Sequence, residues 1–570
     1  ADRDGLTEGD PMASRTRSAG PNQDDLFNPE VELLLPARLA IDGKVLGSPV
    51  RQLAVPARRV RCRLRSFSVR RVNGYEATLE SGEVLKVISA KTATPLEADL
   101  ILLVPGATEP DQIVEALELG AGRWMNALPI AIDTLDRSAR VGRLQAVSAS
   151  WIDAIHLREG RAAADGVPAQ PGLRRPQIGA LHAALAHATR ATDPATIVMP
   201  TGTGKTETML ALNANRRFER LLVVVPTDAL REQIAGKFET FGVLKQQKCL
   251  DETAAFPLVM RLSHIPASEA DVDEIFDSAN VVVTTMQIAG RAEAPVQERM
   301  AARASALFID EAHHIGARTW KSFRGLFVEH EPPIPVIQFT ATPFREDGGR
   351  VDGEFIYTYP LKKAQQEGYF KPIRFEAVFG LDQPDADQAI IAKLGEVLAS
   401  DLDAGLNHLA MARCSTIERA KHLHSLYAAA YPDYRPVIVH SQQSLKERRE
   451  NLAALRRFES RIIVCVDMLG EGFDLPELKI AALHDHHKSV AVTIQFVGRF
   501  TRQDPTLGDA TVIANTGIDD VDRALAKLYA EDADWNALVE ALSSAKIELQ
   551  VRRPEMFKGF SGDLSDIPLQ

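Results

Sequence analysis

The sequence predicts an α/β protein. Two tandem domains, each a mostly parallel sheet with helices on both faces, are flanked by an N-terminal α+β domain and a C-terminal helical segment. Three observations predict it. Short β-rich runs alternate with helical stretches from residue 173 to about 516, in two successive series. A glycine-rich loop, Thr201-Gly202-Thr203-Gly204-Lys205-Thr206, follows the first run and opens a helix. The run Leu307-Phe308-Ile309 ends in two carboxylates, Asp310 and Glu311, at the strand end where open α/β sheets bind ligands.

The first series has runs at 196–199, 221–225, 281–283, 307–309 and 336–339; the second has runs at 409–412, 436–439, 461–466, 480–483 and 511–513. The expected division of the 570 residues is a polar tail (1–30), an accessory domain (31–172), two α/β domains (173–368 and 369–516) and a helical, acidic extension (517–570). In the accessory domain Arg59, Arg61, Arg63 and Arg65 alternate with Val60, Cys62 and Leu64. On a strand this puts four guanidiniums on one face. That face could grip phosphates or an acidic partner, or it could be the solvated outside of a half-buried strand.

Composition bounds the function. A hydrophobic fraction of 45% is that of an ordinary globular chain, and no run approaches the roughly 20 apolar residues of a membrane span. The polar N-terminal stretch lacks the apolar centre of a signal peptide, so a cytoplasmic chain is expected. Cys62, Cys249, Cys414 and Cys465 have no paired spacing, which argues against a disulfide framework and against zinc. A net charge of −11 is the wrong sign for coating nucleic acid by bulk electrostatics. It leaves room for local contacts through hydroxyls, backbone N–H groups and a few cations.

The loop supplies the chemistry of a nucleotide site with ATP and Mg²⁺ as ligands. Its glycines let backbone N–H groups converge on phosphate oxygens, Lys205 neutralises the β- and γ-phosphates, and the Thr206 hydroxyl ligates the metal. Asp310 is expected to hold Mg²⁺ through water, and Glu311 to orient and deprotonate the attacking water. A bound divalent cation turns the repulsion between these neighbours into attraction. His313 is expected to couple this site to neighbouring loops. His484-Asp485-His486-His487 reads as a polar loop rather than a ligand set.

Beyond the loop and the carboxylates, an ordered set of motifs resembles the superfamily 2 helicases. Pro226-Thr227 is similar to motif Ia, Thr284-Thr285 to motif Ib, and Thr340-Ala341-Thr342-Pro343 to motif III. Cys414-Ser415-Thr416 resembles the start of motif IV, and His440-Ser441 follows the next run. Residues 466–476, with Gly472 and Asp474, resemble motif V, and Gln495-Phe496-Val497-Gly498-Arg499-Phe500-Thr501-Arg502 resembles motif VI. Leu173-Arg174-Arg175-Pro176-Gln177 is similar to an adenine-reading signature, with Pro176 where an aromatic is usual. The closest look is to the motor subunits of type I and type III restriction enzymes and related duplex-DNA translocases.

The resemblance implies two RecA-like domains with ATP bound between them. Arg174, Gln177, Gly472 and Asp474 would join the phosphate loop around the nucleotide. Arg499 and Arg502, three apart and so on one helix face, would reach the γ-phosphate from the second domain. Thr340, Thr342 and Gln495 would couple the domains. Pro226, Thr227, Thr284, Thr285, Ser415 and His440 would face the nucleic acid. Duplex DNA is the favoured partner, RNA the alternative, and a nucleotide-switched subunit docking a protein through residues 31–172 a third reading.

Overall fold

The computed structural model describes residues 30–161, 169–188, 193–200, 202–314, 318–341, 343, 350–360, 363–364, 367, 373–380, 382–466, 475–485 and 508–515. Packing divides the chain into two units, residues 1–42 with 53–131, and residues 43–52 with 132–570.

The first unit is β-rich. β1 (Glu30–Leu35) pairs antiparallel with β4 (Arg58–Arg63), Glu32 opposite Arg61; these flank β2 (Arg38–Val45) and β3 (Ser48–Val55), which straddle the two units. A five-stranded sheet follows in the order β5 (Arg65–Val69), β6 (Val72–Thr78), β7 (Val84–Ile88), β8 (Leu100–Leu103), β9 (Arg123–Trp124). Alternation sends Ala77, Leu85, Val87, Leu100 and Leu102 to one face, where they form a core with Ile113 and Leu117 of α1 (Pro110–Glu118). A short β10 (Ile130–Ala131) pairs with β2 at Ile41 and Asp42. The arginine stripe is broken: it ends with β4 at Arg63 and resumes at Arg65 in β5. Arg59 is held by Glu118 and Glu32, and Arg61 by Glu32, so these two form an ion-paired outer face.

In the second unit the strands are β3, β11 (Ala195–Val198), β12 (Leu221–Val225), β13 (Val259–Arg261), β14 (Val281–Thr285), β15 (Ala306–Ile309), β16 (Val336–Thr340) and β17 (Glu354–Thr358). Their order is β3-β13-β14-β12-β15-β16-β11-β17, parallel except that β3 runs antiparallel to β13. All five residues of β12 and of β14 are buried, as strands covered on both faces require. Covering helices include α2 (Arg137–Ala149), α3 (Arg175–His187), α4 (Lys205–Arg216) and α5 (Asp228–Thr240). Trp151, just after α2, is 1% exposed, meets Phe241 edge-on at 5.5 Å, and donates its indole N–H to Ala255 O at 2.8 Å.

A second parallel sheet comprises β18 (Ile373–Val378), β19 (Leu409–Cys414), β20 (Val437–Val439), β21 (Ile462–Val466), β22 (Leu478–Leu483) and β23 (Ala510–Asn515), in the order β18-β23-β22-β19-β21-β20. Its two faces carry separate cores. Ala410, Ala412, Val464, Ile480 and Ile513 pack with α6 (Gln383–Asp403) and α7 (Ile417–Ala430); Leu409, Met411, Ile463 and Val512 pack beside Leu455 of α8 (Leu445–Arg456). The two expected parallel sheets are therefore present. Of the expected tail 1–30, Glu30 opens β1 and residues 1–29 lie outside the described residues, as does the expected helical extension 517–570. All four cysteines are buried. Among the described residues, no helix is long and apolar enough to cross a membrane.

Trp151→Ala leaves a large void and an orphaned carbonyl at Ala255, so the second unit should lose about 3–5 kcal/mol. Its thermal midpoint by circular dichroism should fall clearly; an unchanged midpoint would contradict this packing.

Candidate active site

Three adjacent strands bring the first site together. β15, β16 and β11 are neighbours, so the loop after β11, the carboxylates after β15 and Thr340 at the end of β16 meet at one sheet edge. Backbone bonds fasten the edge: Met199 N–H donates to Thr340 O at 2.9 Å, and Asp310 N–H donates to Val224 O at 3.0 Å.

The loop needs its glycines. Gly202 and Gly204 have φ of +89° and +97°, and Gly204 is the residue from which α4 starts. A Cβ on Gly204 would collide with the side-chain amide of Gln177. Thr203 is buried and donates its hydroxyl to Pro200 O at 2.6 Å, holding the loop closed on itself. Arg174 Nη1 donates to Gly202 O at 2.8 Å. Gln177 accepts Arg174 N–H at 2.7 Å and donates to Gly204 O at 3.4 Å. The proposed adenine-reading pair thus braces the phosphate loop from the start of α3. Thr206 is half-buried one residue into α4.

Lys205 and Glu311 are both 8% exposed, and Lys205 Nζ lies 2.8 Å from each Glu311 carboxylate oxygen. Glu311 adopts φ +50°, a left-handed conformation that side chains rarely take, and its N–H is bound by Asp310 Oδ1 at 2.9 Å. Asp310 itself is 3% exposed. His313, fully buried, shares a hydrogen bond of 3.1 Å with the Thr340 hydroxyl, and its Nδ1 stands 3.6 Å from Glu311 Oε2. A continuous path therefore runs from Lys205 through Glu311 and His313 to Thr340.

The second set of residues lies at C-terminal strand ends of both sheets. Pro226 is half-buried after β12, and Thr227 is exposed and caps α5 by accepting Leu230 N–H at 3.3 Å. Thr284 is fully buried and spends its hydroxyl on Leu262 O at 3.3 Å; Thr285 is 4% exposed where β14 ends. Ser415 is exposed after β19, and its N–H and hydroxyl both donate to Asp485 Oδ2 at 2.7 Å. His440 follows β20, donates its N–H to Gln443 Oε1 at 3.1 Å, and has a buried Nδ1 with no hydrogen-bond partner among the described residues. Burial and the Lys421 ammonium push its imidazole below the ordinary value, Glu447 opposing.

Two family profiles match the chain: "Type III restriction enzyme, res subunit" over residues 170–345 and "Helicase conserved C-terminal domain" over residues 381–504. This chain belongs to the superfamily 2 helicases. Its two parallel sheets are the family's paired RecA-like domains. A protein described as helicase 22 of Sulfolobus islandicus filamentous virus is 23% identical over 238 residues, 36% of this chain and 41% of that protein. The Neurospora crassa ATP-dependent RNA helicase dbp-8 is 34% identical over 113 residues, 20% of this chain and 17% of that protein. The chain therefore spans less than half of either relative's length. A solved fragment assigned as an HsdR subunit of a type I restriction enzyme from Vibrio vulnificus YJ016 aligns at 16% identity and TM-score 0.43. That alignment covers 86% of this chain and 89% of the fragment.

Thr201, Thr342, Gly472, Asp474, Gln495, Arg499 and Arg502 lie outside the described residues. The polar-loop reading of His484-Asp485 is corrected at His484, which is only 4% exposed and belongs to a buried cluster in the second domain. His484 sits between Asp387 Oδ1 and the Tyr427 hydroxyl, each at 2.8 Å, and Arg419 binds both Asp387 and Asp485. Burial drives the Asp387 carboxyl up, but the His484 and Arg419 hydrogen bonds outweigh it and bring it down to about 2. The cluster fastens Ser415 through Asp485. Beside the His484-Asp485 pair itself, its sequence signal is an acidic residue, Asp387, at a core position of α6 among Ala386, Ile390 and Ile391. Among the described residues no group of three or more His, Cys, Asp or Glu could hold a metal ion.

Gly204→Ala should displace Gln177 and misdirect the loop N–H groups. Affinity for a fluorescent ATP analogue should drop by about two decades while the circular dichroism spectrum stays that of the wild type. Unimpaired nucleotide binding would contradict the loop geometry.

Proposed function

We propose that this helicase is a DNA-stimulated ATPase that moves on or remodels duplex DNA, hydrolysing ATP between its two RecA-like domains. The observation that carries the reading is the convergence of the phosphate loop, Lys205 and the Asp310-Glu311 pair at one sheet edge, with Lys205 2.8 Å from Glu311. The N–H groups at the start of α4, a helix of 12 residues, face the side where a triphosphate binds. Lys205 would shift from Glu311 toward the β- and γ-phosphates. Glu311, relieved of that partner, would orient the attacking water and accept its proton.

The hydroxyl of Thr206 and the carboxylate of Asp310 are hard oxygen donors that suit Mg²⁺. When bound, that ion would neutralise charge on the β- and γ-phosphate oxygens. His313 and Thr340 would carry the state of Glu311 to the end of β16. Arg499 and Arg502 would complete the site from the second domain, and arginines acting so are worth about 10³–10⁵ in rate.

The polar residues at the ends of β12, β14, β19 and β20 offer hydroxyls and N–H groups to phosphates, which position a strand without reading its sequence. Thr227 and His440, whose Nδ1 has no hydrogen-bond partner among the described residues, are the favoured contacts, and Ser415 would reach a phosphate only by giving up a bond to Asp485. Thr284 would act by shaping the strand end. Likeness to a restriction-enzyme subunit profile supports duplex DNA; the local likeness to an RNA helicase keeps RNA as the second reading.

ATP turnover measured without polymer and with duplex DNA, single-stranded DNA or RNA separates these. Stimulation should be strongest with duplex, and Arg502→Ala should lose at least about two decades of turnover. Equal stimulation by RNA would favour the second reading. High turnover indifferent to every polymer would overturn both and favour a nucleotide-switched subunit that docks a protein.

A further inference from the structure

We propose that the tip of the β5–β6 hairpin, Arg70-Arg71, is a contact for the phosphate backbone of duplex DNA; this rests on the polymer-binding reading above. The hairpin has a two-residue loop, closed by Val69 opposite Val72. Both loop residues have positive φ, +47° at Arg70 and +72° at Arg71. A turn of this kind favours Asn-Gly or Asp-Gly, because Cβ crowds the carbonyl oxygen there, a clash that Gly escapes and that Asn and Asp offset with local hydrogen bonds. Two consecutive arginines are a poor choice for making the turn.

The turn's position is fixed elsewhere. Asn73-Gly74, the pair best suited to a hairpin tip, lies inside β6 instead, with Gly74 opposite Phe67. A Cβ at Gly74 would strike Val87 O and come within 3.1 Å of the Phe67 ring. That ring also carries the Lys86 ammonium 5.0 Å from its centroid. Packing of Phe67 across Gly74 sets the register and leaves the tip residues free of packing demands. Arg70 and Arg71 are exposed. Local strain kept at an exposed tip, in residues that the fold does not require, points to a use outside the fold.

Charge names the occupant. Arg58 is paired with Glu83, Arg59 with Glu118 and Glu32, and Arg61 with Glu32. Among the described residues no ion pair within 4.0 Å forms at Arg65, Arg70 or Arg71. Arg65 begins β5, the edge strand of its sheet. Arg65 has Glu76 opposite it across the pair, so the two guanidiniums of the turn, Arg70 and Arg71, are the ones that run against a chain of net charge −11. Arg presents a planar fork that matches phosphate oxygens, and such contacts add affinity without sequence preference.

The test uses the full chain and a fluorescent duplex of about 30 base pairs, titrated over about 50–200 mM salt. R70N/R71G gives the turn its preferred residues and removes both charges. Its affinity should fall about tenfold at the low-salt end, and the slope of log K against log salt should shrink by about 2. Its thermal midpoint should match or exceed the wild type's. R70K/R71K should keep the wild-type slope. Wild-type affinity and slope in R70N/R71G would overturn the proposal while leaving polymer binding intact, as would a lowered midpoint or a lysine variant that loses the slope equally. A wild type that binds no duplex would remove the polymer-binding reading and this contact with it.

Discussion

The buried pair between Lys205 and Glu311 is the interaction on which the rest depends. At 2.8 Å, with both side chains almost wholly withdrawn from water, its gross attraction is about 6 kcal/mol at an effective dielectric of ~20. Desolvation of the two charges offsets much of that. The pair links the loop after β11 to the end of β15, and in the proposed cycle a triphosphate would compete with Glu311 for the ammonium. A lysine held by a single carboxylate is primed for a ligand carrying several negative charges. The left-handed backbone at Glu311 and the N–H bond to Asp310 keep the carboxylate aimed at the loop.

That constraint explains why the surrounding fold is a parallel sheet. Parallel strands end on one edge, and their crossover helices begin there, so backbone N–H groups, carboxylates and coupling residues all accumulate on the same side. In the first RecA-like domain the neighbours β15, β16 and β11 deliver Glu311, Thr340 and the phosphate loop together. In the second domain the ends of β19 and β22 deliver Ser415 and His484-Asp485, which Arg419 and Asp387 tie into one buried cluster. The serine expected to meet a strand is thus anchored to the core of its own domain, and a load placed on it would be borne by α6 and α7.

Much of this was legible in the sequence because buried parallel strands are continuous apolar runs; β12, Leu-Leu-Val-Val-Val, could hardly be read otherwise. Strands that lack that signature were missed. β13 has three residues, and β18, Ile-Arg-Phe-Glu-Ala-Val at the sheet edge, mixes charge with apolar residues. The loop glycines and the two carboxylates were readable as chemistry, whereas the bond between Lys205 and Glu311, 106 residues apart, was not. Nor could sequence reveal that Gln177 braces Gly204, that Thr284 is turned into the interior, or that half of the arginine stripe is spent on glutamates. Each of these depends on which element a side chain meets after folding, and local pattern carries no record of it.

The most direct measurement separates binding from turnover in Glu311→Gln. With the carboxylate gone, Lys205 keeps its charge for phosphate, so affinity for ATP should hold or tighten. Turnover in the presence of duplex DNA should meanwhile drop by about two decades or more, because the proposed base for the attacking water is gone. Nucleotide titration and steady-state hydrolysis on the same preparation give both numbers. Turnover that survives the substitution, or ATP affinity that collapses with it, would contradict the account.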